Sequence, residues 1–307
     1  MRAFIFPGQG SQSVGMGKTL AETSPAARAV LEEVDAALGQ SLARLMAEGP
    51  ADELTLTENA QPAIMANAIA TLRAAGIDLA GKARFVAGHS LGEYTALCAA
   101  GTFDLTTTAR LLKTRGLAMQ AAVPVGDGAM AALLGADLAV AQAVVDAAAQ
   151  GEVCAVANDN DPSQVVISGS KAAVERALEI AKEKGAKRAI LLPVSAPFHC
   201  ALMQPAADAM AGALAGVAMA PPAVPLYANV TAEPVESVDT IRELLIEQVT
   251  GIVRWRESVA NMAAAGVTHF VEFGGKVLGP MVKRIAPDAQ VTNVVTMDDI
   301  DALVKEI

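Results

Sequence analysis

The spacing of hydrophobic residues in the first part of the chain alternates between that of a strand and that of a helix. Short apolar runs predict strands at 3–6 and 84–87. Longer segments with helical spacing predict helices at 26–45, 62–75, 91–100 and 107–122. Pro62 would lie in the first turn of its helix, where proline is tolerated. Strands that alternate with helices in this way predict a parallel sheet covered on both faces.

The pattern changes after the turn-rich stretch VPVGDG at 123–128. The following segments predict strands at 129–134, 153–157, 164–168 and 188–194, with helices at 138–150 and 172–184. This order, βαββαβ, is typical of a ferredoxin-like unit. We therefore expect a small domain, 127–195, inserted into a large α/β domain made of 1–126 and 196–307. The large domain would resume with more helix and with strands at 226–230 and 269–273.

The composition is that of a chain that can bury a large core, with 53% hydrophobic and 18% charged residues. The segment 129–149 comes closest to the length of a membrane span, but Asp137 and Asp146 interrupt it. We therefore expect no membrane insertion. We also expect no secretory signal at the start, because Pro7 and a glycine-rich loop end the first hydrophobic run.

Charge and cysteine content narrow the possible partners. The net charge of −10 argues against general affinity for nucleic acid, and an acidic ligand would need a local basic pocket. The cysteines, Cys98, Cys154 and Cys200, are odd in number and form no CxxC pair, so neither a zinc site nor a disulfide framework is indicated. A reducing, cytoplasmic setting is expected.

A glycine-rich loop, GQGSQSVGMGKT, follows the first predicted strand and invites comparison with phosphate-binding loops. A Walker loop requires a glycine where this chain has Gln12. The dinucleotide fingerprint requires one where it has Ser13. Both templates fail, so nucleotide binding is not indicated. Glycines at this density still predict that backbone N–H groups approach a ligand closely.

The segment GHSLG at 88–92 places Ser90 in a G-x-S-x-G motif between a predicted strand and a predicted helix. This is the pattern of the nucleophile elbow, in which a tight turn lifts the serine hydroxyl clear of the backbone. The helix that begins beside Ser90 would direct its N–H groups toward developing negative charge. The expected fold class is therefore α/β, with an α/β-hydrolase-like large domain that carries the ferredoxin-like insert.

A nucleophilic serine needs a base, and the chain has three histidines from which to choose. The side chain of His89 should point away from the hydroxyl of its neighbour Ser90. His269 lies in the alternating strand pattern THFVEF and is more typical of a structural residue. His199 follows SAPF in a proline-bounded loop and is the best candidate for the base.

Motifs spread almost end to end, in the order FPGQGSQ, GHSLGEY, KTRGLAMQ, NDNDPSQVVISG, SAPFH and QVTGIVRW, extend this picture. The set resembles the malonyl-CoA:acyl carrier protein transacylases, which load malonyl groups for fatty acid synthesis. The resemblance implies that Ser90 takes the acyl group and that His199 is its base. It also implies that the backbone carbonyl of Gln248 orients His199 and that Arg115 pairs with the malonyl carboxylate.

The resemblance further implies that the backbone N–H groups of Gln9 and Leu91 form the oxyanion hole, which explains the glycine-rich loop. Asn158 and Asn160 are candidates for substrate contact, and the ring of Phe198 would leave little space for an α-methyl group. The chain departs from the family at Cys200, where serine is usual. It departs again in the shortened segment EFGGKVLGP, which ends at Pro280.

The implied reaction moves malonyl from malonyl-CoA to the phosphopantetheine thiol of acyl carrier protein. It needs no metal or redox cofactor, and a monomer is expected. Because carrier proteins are acidic, docking would need a local basic surface, for which the candidates are Lys182, Lys187, Arg188, Arg254 and Lys276.

The motifs leave other functions open. A serine hydrolase or thioesterase would use the same elbow with water as acceptor, although Arg115 would then have no clear purpose. A non-catalytic relative could bind a carrier protein alone. An acyltransferase could take another acyl-CoA such as methylmalonyl-CoA.

Overall fold

The computed structural model describes residues 1–307, which form a mixed α/β fold. The strands are β1 (Arg2–Phe6), β2 (Phe85–Gly88), β3 (Gly128–Leu134), β4 (Cys154–Asp161), β5 (Gln164–Ser170), β6 (Arg188–Leu191), β7 (Leu226–Tyr227), β8 (Pro234–Val235), β9 (His269–Phe273) and β10 (Gln290–Val294). The helices are α1 (Lys18–Thr23), α2 (Pro25–Leu38), α3 (Leu42–Glu48), α4 (Ala51–Thr55), α5 (Thr57–Ala75), α6 (Leu79–Lys82), α7 (Leu91–Ala99), α8 (Leu105–Ala122), α9 (Leu138–Ala149), α10 (Lys171–Ile180), α11 (Gln204–Ala215), α12 (Val238–Glu247), α13 (Trp255–Ala264), α14 (Leu278–Ile285) and α15 (Met297–Glu306). A short 3₁₀ helix, Ala201–Met203, precedes α11.

The larger sheet has six strands in the order β10-β9-β1-β2-β7-β8, and every pair except β7–β8 is parallel. Alternate residues of β1 face opposite sides: Phe4 and Phe6 belong to one buried cluster, whereas Ala3 and Ile5 belong to another. Both faces are therefore covered, as the alternation of strands and helices predicted. The predicted α/β class with a parallel sheet is confirmed.

The smaller sheet has four strands in the order β4-β5-β3-β6, and all its pairs are antiparallel. With α9 and α10 it encloses a separate cluster of 15 buried hydrophobic residues. Its elements follow the chain in the order β3-α9-β4-β5-α10-β6, which is the order that the hydrophobic pattern predicted.

The prediction of one helix over 26–45 is wrong, because the chain turns at Gly39. Gly39 has a φ of 59° and closes α2 in the left-handed conformation that glycine adopts without strain. A new helix, α3, then begins after Ser41. Apolar residues at helical spacing continue through the break, so periodicity alone does not reveal it.

The helix predicted at 62–75 begins earlier, at Thr57, so Pro62 lies inside α5 instead of in its first turn. Proline inside a helix removes one backbone hydrogen bond. The preceding turn is nevertheless held in place by packing, because Gly116 of α8 lies directly against the backbone of Thr57 and Glu58. Packing between α5 and α8 therefore outweighs the local preference of proline for the first turn of a helix.

The stretch NDNDPS was expected to be a connection, but its first residues, 158–161, extend β4. Hydrogen bonds to the segment around Val253 explain the extension. The backbone N–H of Asp159 donates to the carbonyl of Val253 at 2.9 Å, and the backbone N–H of Val253 donates to the carbonyl of Ala157 at 2.9 Å. Other predicted elements end early, with β6 ending at Leu191, α10 at Ile180 and β7 at Tyr227. No helix of the chain combines the length and hydrophobicity needed to cross a bilayer.

Candidate active site

Ser90 occupies a strained turn between β2 and α7. Its φ of 53° and ψ of −111° lie outside the regions that side-chain-bearing residues usually adopt. The turn is possible only because its flanks are glycine. A Cβ on Gly88 would lie 1.8 Å from the carbonyl oxygen of Gly92, and one on Gly92 would lie 2.3 Å from the carbonyl oxygen of Phe6. The geometry is that of a nucleophile elbow.

His199 faces the hydroxyl of Ser90, with Nε2 2.8 Å from Oγ. On the other side of the ring, Nδ1 lies 2.9 Å from the backbone carbonyl oxygen of Gln248. Because a carbonyl can only accept, Nδ1 carries the proton and Nε2 presents a lone pair to the serine. The three residues come from the turn between β2 and α7, the loop before α11 and the end of α12.

Burial, together with the nearby Arg115 cation, lowers the pKa of His199 to about 3. The ring is therefore neutral at physiological pH in the free protein. A neutral imidazole whose Nε2 faces a hydroxyl is the protonation state that a general base requires.

Arg115 reaches the same hydroxyl from α8, although only 1% of its surface is exposed. Its Nη2 donates to Ser90 Oγ at 3.2 Å and to Gln248 Oε1 at 2.7 Å, and its Nη1 donates to Gln61 Oε1 at 2.9 Å. Its guanidinium carbon also lies 5.7 Å from the ring centre of Tyr94. No carboxylate pairs directly with the guanidinium, so its charge is available to a ligand.

A hydrogen-bond network behind the serine contains residues that the sequence did not suggest. Glu93 Oε2 accepts from Gln248 Nε2 at 2.6 Å. Asn229 Oδ1 accepts from the backbone N–H of Ser90 at 2.8 Å, and its Nδ2 donates to the carbonyl of Gly88 at 2.7 Å. One available signal was the position of Asn229, just beyond the carboxyl end of a strand beside β2.

The backbone N–H groups of Gln9 and Leu91 make no hydrogen bond within the protein. Both residues line the cavity that contains Ser90. Leu91 is the first residue of α7, where backbone N–H groups have no partner inside the helix. Two unpartnered donors beside a nucleophile are suited to an oxyanion.

Some of the remaining candidate residues line this cavity, and others lie outside it. His89 turns away from Ser90, and its Nε2 lies 2.8 Å from Asn160 Oδ1. Asn158 and Phe198 line the cavity, as does His89, whereas Asn160 is not among the lining residues. His269 is buried in β9, with Nε2 2.9 Å from Thr292 Oγ1, far along the chain from the other site residues.

The cavity has a volume of about 300 Å³ and is lined by 17 residues. Its walls include Gln9, Ser90, Arg115, His199 and Phe198. The guanidinium of Arg115, the hydroxyl of Ser90 and the imidazole of His199 thus converge in a space whose walls are mostly apolar, which is typical of a site for a small acyl group with one charged end.

The basic residues considered for docking differ in their surroundings. Lys182, Lys187, Arg188 and Lys276 are exposed and form no ion pair. Arg254 instead pairs with Glu257 at 2.7 Å. Cys200 is buried, and its thiol donates to the carbonyl of Pro197 at 3.2 Å.

Comparison with known proteins agrees with this geometry. The model of the acyl transferase domain family matches residues 3–275. The chain is 48% identical over 285 residues to malonyl CoA-acyl carrier protein transacylase of Escherichia coli strain K12, a match that covers 92% of each. The acyl-carrier-protein-S-malonyltransferase of Bartonella henselae has a similar structure, with a TM-score of 0.97 and 54% identity over 99% of this chain and 98% of that one.

Another similar structure is a malonyl-transacylase solved in complex with its type II PKS acyl-carrier protein, with a TM-score of 0.95, 39% identity and coverage of 100% of this chain and 99% of that one. The motif resemblance is thereby confirmed. Since the family match runs over residues 3–275 and a relative covering 92% of the chain shares 48% of the aligned residues, this protein belongs to the malonyl CoA-acyl carrier protein transacylases of the acyl transferase domain family.

Proposed function

We propose that this protein transfers the malonyl group of malonyl-CoA to the phosphopantetheine thiol of acyl carrier protein, through an acyl-enzyme on Ser90. The observation that carries the proposal is that a base and a cation both lie within hydrogen-bonding distance of one hydroxyl. Ser90 Oγ lies 2.8 Å from the base His199 and 3.2 Å from the buried cation Arg115. A nucleophile, a base and a site for a carboxylate therefore share one cavity.

The first half-reaction loads the serine. As Ser90 Oγ attacks the thioester carbon, its proton passes to His199 Nε2, and the carbonyl oxygen becomes negative. The N–H groups of Gln9 and Leu91 are free to hold that oxygen. When the carbon–sulfur bond breaks, His199 returns the proton to the departing CoA thiolate.

The second half-reaction reverses these roles. The pantetheine thiol gives its proton to His199 Nε2 and attacks the acyl carbon. The bond between that carbon and Ser90 Oγ then breaks, and His199 returns the proton to Ser90 Oγ. The carbonyl of Gln248 holds the imidazole in one tautomer throughout, so no acidic third member of a triad is needed. Because the nucleophile, base and oxyanion donors all belong to the chain, we propose that no metal or redox cofactor takes part.

Arg115 would provide selectivity for the charged end of malonyl. Its guanidinium is bonded only to neutral side chains, Gln61, Gln248 and Ser90, and it keeps donor capacity for a carboxylate. A planar guanidinium matches a carboxylate with two parallel hydrogen bonds. Phe198 would narrow the space beside the acyl α-carbon, and Asn158 would border the substrate. Asn160 would act only indirectly, through its hydrogen bond to His89.

The domain organisation that we propose is a large α/β-hydrolase-like domain, 1–126 and 196–307, with a ferredoxin-like insert at 127–195. The separate hydrophobic cluster of 15 residues and the antiparallel strand order β4-β5-β3-β6 support the insert. We also propose a reducing, cytoplasmic setting, since Cys98, Cys154 and Cys200 are all free. The expected monomeric state stays a prediction that light scattering would check.

Mass spectrometry of the intact protein tests the proposal. Malonyl-CoA should add one malonyl mass that maps to the peptide containing Ser90, and Ser90→Ala should lose the adduct while remaining folded. Holo acyl carrier protein should then remove the adduct and acquire it. Rapid loss of the adduct to water, unchanged by carrier protein, would indicate a hydrolase, and preferential loading of methylmalonyl would indicate another acyltransferase.

A further inference from the structure

Glu93 is a buried acidic side chain beside Ser90 to which the mechanism above gives no role. Only 1% of its surface is exposed, and it lies in the first turn of α7. Its Oε2 accepts from Gln248 Nε2 at 2.6 Å and from the backbone N–H of Asn229 at 3.4 Å, whereas Oε1 has no partner. Burying a carboxylate without a direct counter-ion costs free energy, so a role for this side chain is expected.

The only cation close to Glu93 is Arg115, and the side chain of Gln248 lies between the two. Gln248 donates from Nε2 to Glu93 and accepts at Oε1 from Arg115 Nη2 at 2.7 Å. Carboxylate, amide and guanidinium thus form a line, in which the amide dipole points its positive end at the anion and its negative end at the cation. Each hydrogen bond in such a chain strengthens the next.

Glu93 forms the shortest of the contacts that determine which way the amide of Gln248 faces, together with Arg115 and the backbone carbonyl of Ser90. The two ends of a glutamine amide have nearly the same shape, so only their partners choose between the two orientations. A carboxylate can accept but not donate, which forces the NH₂ group toward Glu93 and leaves the oxygen for Arg115. The reversed amide would place oxygen against carboxylate and NH₂ against guanidinium.

Gln248 is connected to the reaction at a second point, because its backbone carbonyl accepts from His199 Nδ1 at 2.9 Å. Its Nε2 also donates to the backbone carbonyl of Ser90 at 3.0 Å. One residue therefore touches the base, the nucleophile and the carboxylate-binding arginine, and Glu93 is its anionic anchor.

We propose that Glu93 is a positioning residue for acyl selectivity: by fixing the amide of Gln248, it aims the guanidinium of Arg115 into the acyl cavity. This inference rests on the proposed malonyl transfer. It concerns the geometry of Arg115 and leaves the nucleophile and base unchanged. Loss of Glu93 should therefore weaken malonyl loading more than acetyl loading, because only malonyl carries a carboxylate for Arg115 to hold.

The test compares Glu93→Ala and Glu93→Gln with the unmodified protein, using rapid-quench mass spectrometry of Ser90 loading from malonyl-CoA and from acetyl-CoA. Misplacing a catalytic contact by about 1 Å can cost roughly 100-fold. We expect Glu93→Ala to lower the malonyl-to-acetyl ratio of kcat/KM by about 10- to 100-fold. Glu93→Gln should retain more of the ratio than Glu93→Ala, because its amide oxygen can still accept from Gln248 although its NH₂ group no longer excludes the reversed orientation.

Glu272 supplies a matched control, since it is buried like Glu93 but binds the backbone N–H groups of Val277, Leu278 and Gly279. Glu272→Ala should reduce stability and leave the malonyl-to-acetyl ratio unchanged. An unchanged ratio in Glu93→Ala would overturn the positioning role, as would an equal loss in Glu93→Gln. Failure of the unmodified protein to form any malonyl adduct would instead refute the proposed function.

Discussion

Arg115 Nη2 lies 3.2 Å from Ser90 Oγ, which places a permanent cation within hydrogen-bonding distance of the nucleophile. The same contact contributes to the low pKa of His199, which burial lowers first and the Arg115 charge lowers further. In the proposed reaction, a malonyl carboxylate bound to Arg115 would weaken that repulsion. The imidazole would then accept the serine proton more readily, so the proposal couples substrate charge and base strength through one side chain.

The first prediction is that Arg115→Ala loads malonyl poorly but keeps activity with acetyl-CoA. Truncating one member of a buried hydrogen-bonded charge pair costs roughly 2–5 kcal/mol. At about 1.4 kcal/mol per decade, this corresponds to a roughly 30- to 4000-fold loss in kcat/KM for malonyl-CoA. Acetyl-CoA has no carboxylate to leave unpaired, and steady-state kinetics with both thioesters would measure the difference.

Arg115→Lys is the informative control, because an ammonium keeps the charge but lacks the planar pair of donors. It should recover only part of the malonyl activity. If malonyl and acetyl loading fell by the same factor in Arg115→Ala, the arginine would be structural, and charge selection would be wrong.

The second prediction concerns the stability of the elbow. A Cβ at Gly92 would lie 2.3 Å from the carbonyl oxygen of Phe6 and 2.8 Å from that of Pro7, both of which are backbone atoms that yield little. Gly92→Ala should therefore lower the free energy of unfolding by about 1–3 kcal/mol or more, the usual range for overpacking. Urea denaturation would measure it.

Gly212 is a suitable comparison, since it lies inside α11 and an added Cβ would meet nothing within 4 Å. Gly212→Ala should raise stability by roughly 0.5–1 kcal/mol, because glycine is a poor helix former. Destabilisation by both substitutions to the same extent would mean that close approach at the elbow is not what requires glycine.

The sequence predicted Ser90, His199, Arg115 and Gln248, which the structure brings together, but not Glu93, Asn229 and Gln61, which form hydrogen bonds to them. Ser90 lies in a local motif, and His199 could be chosen because the chain has three histidines. Glu93 meets Gln248 across 155 positions of the chain, and Gln61 meets Arg115 across 54. Such contacts depend on tertiary structure, and a glutamine in or beside a helix carries no local sign of its partner.

Whether a segment forms a helix or a strand was predictable where its apolar periodicity was uninterrupted. The residues at which the elements begin and end were not predictable. The parallel sheet and the order βαββαβ followed from the apolar spacing. The extension of β4 through Asp161 did not, because buried asparagine and aspartate resemble a turn in sequence. There Arg256 and Arg284 pair with Asp159 and Asp161 at 2.8 and 2.7 Å, which compensates the buried charges.

The third prediction is that His199 stays neutral well below the ordinary histidine range. Its pKa is lowered to about 3, whereas that of His89 is lowered by burial and raised in part by Asn160. Nitrogen-15 spectra of the free protein should show an Nδ1–H imidazole at His199 from pH 8 to about pH 5. A His199→Gln variant would assign the signal. Titration near pH 6.5 would contradict the buried, neutral base.

The fourth prediction concerns docking of the carrier protein. This chain has a net charge of −10, and an acidic carrier protein is expected, so the encounter needs a local basic surface. Lys187→Glu and Arg188→Glu should slow transfer to acyl carrier protein by about 10-fold at low salt, while attack by free pantetheine should change little. Arg254→Gln is a useful comparison, because Arg254 is already paired with Glu257. Equal losses with both acceptors would exclude a docking role.

The last prediction is that the charge of Glu93 destabilises the fold as pH rises. Burial raises the pKa of Glu93 from 4.5 to about 7, although Gln248, Asn229 and Arg115 oppose the shift. The folded state therefore binds the proton more tightly than the unfolded state. That stabilisation is fully present below about pH 4.5 and is lost as pH rises through about 7.

A shift of this size corresponds to about 3 kcal/mol, at roughly 1.4 kcal/mol for each pKa unit. The charged and titratable neighbours do not obscure it: Arg115 stays charged, His199 stays neutral, and the raised pKa of Tyr94 keeps the phenol protonated. Glu93→Gln cannot ionise, so its stability relative to the unmodified protein should rise by about 3 kcal/mol between pH 4.5 and pH 8. Urea unfolding of both proteins at several pH values measures this difference. A constant difference would show that the carboxylate is already compensated in the fold, and Glu93 would then anchor Gln248 without any cost in stability.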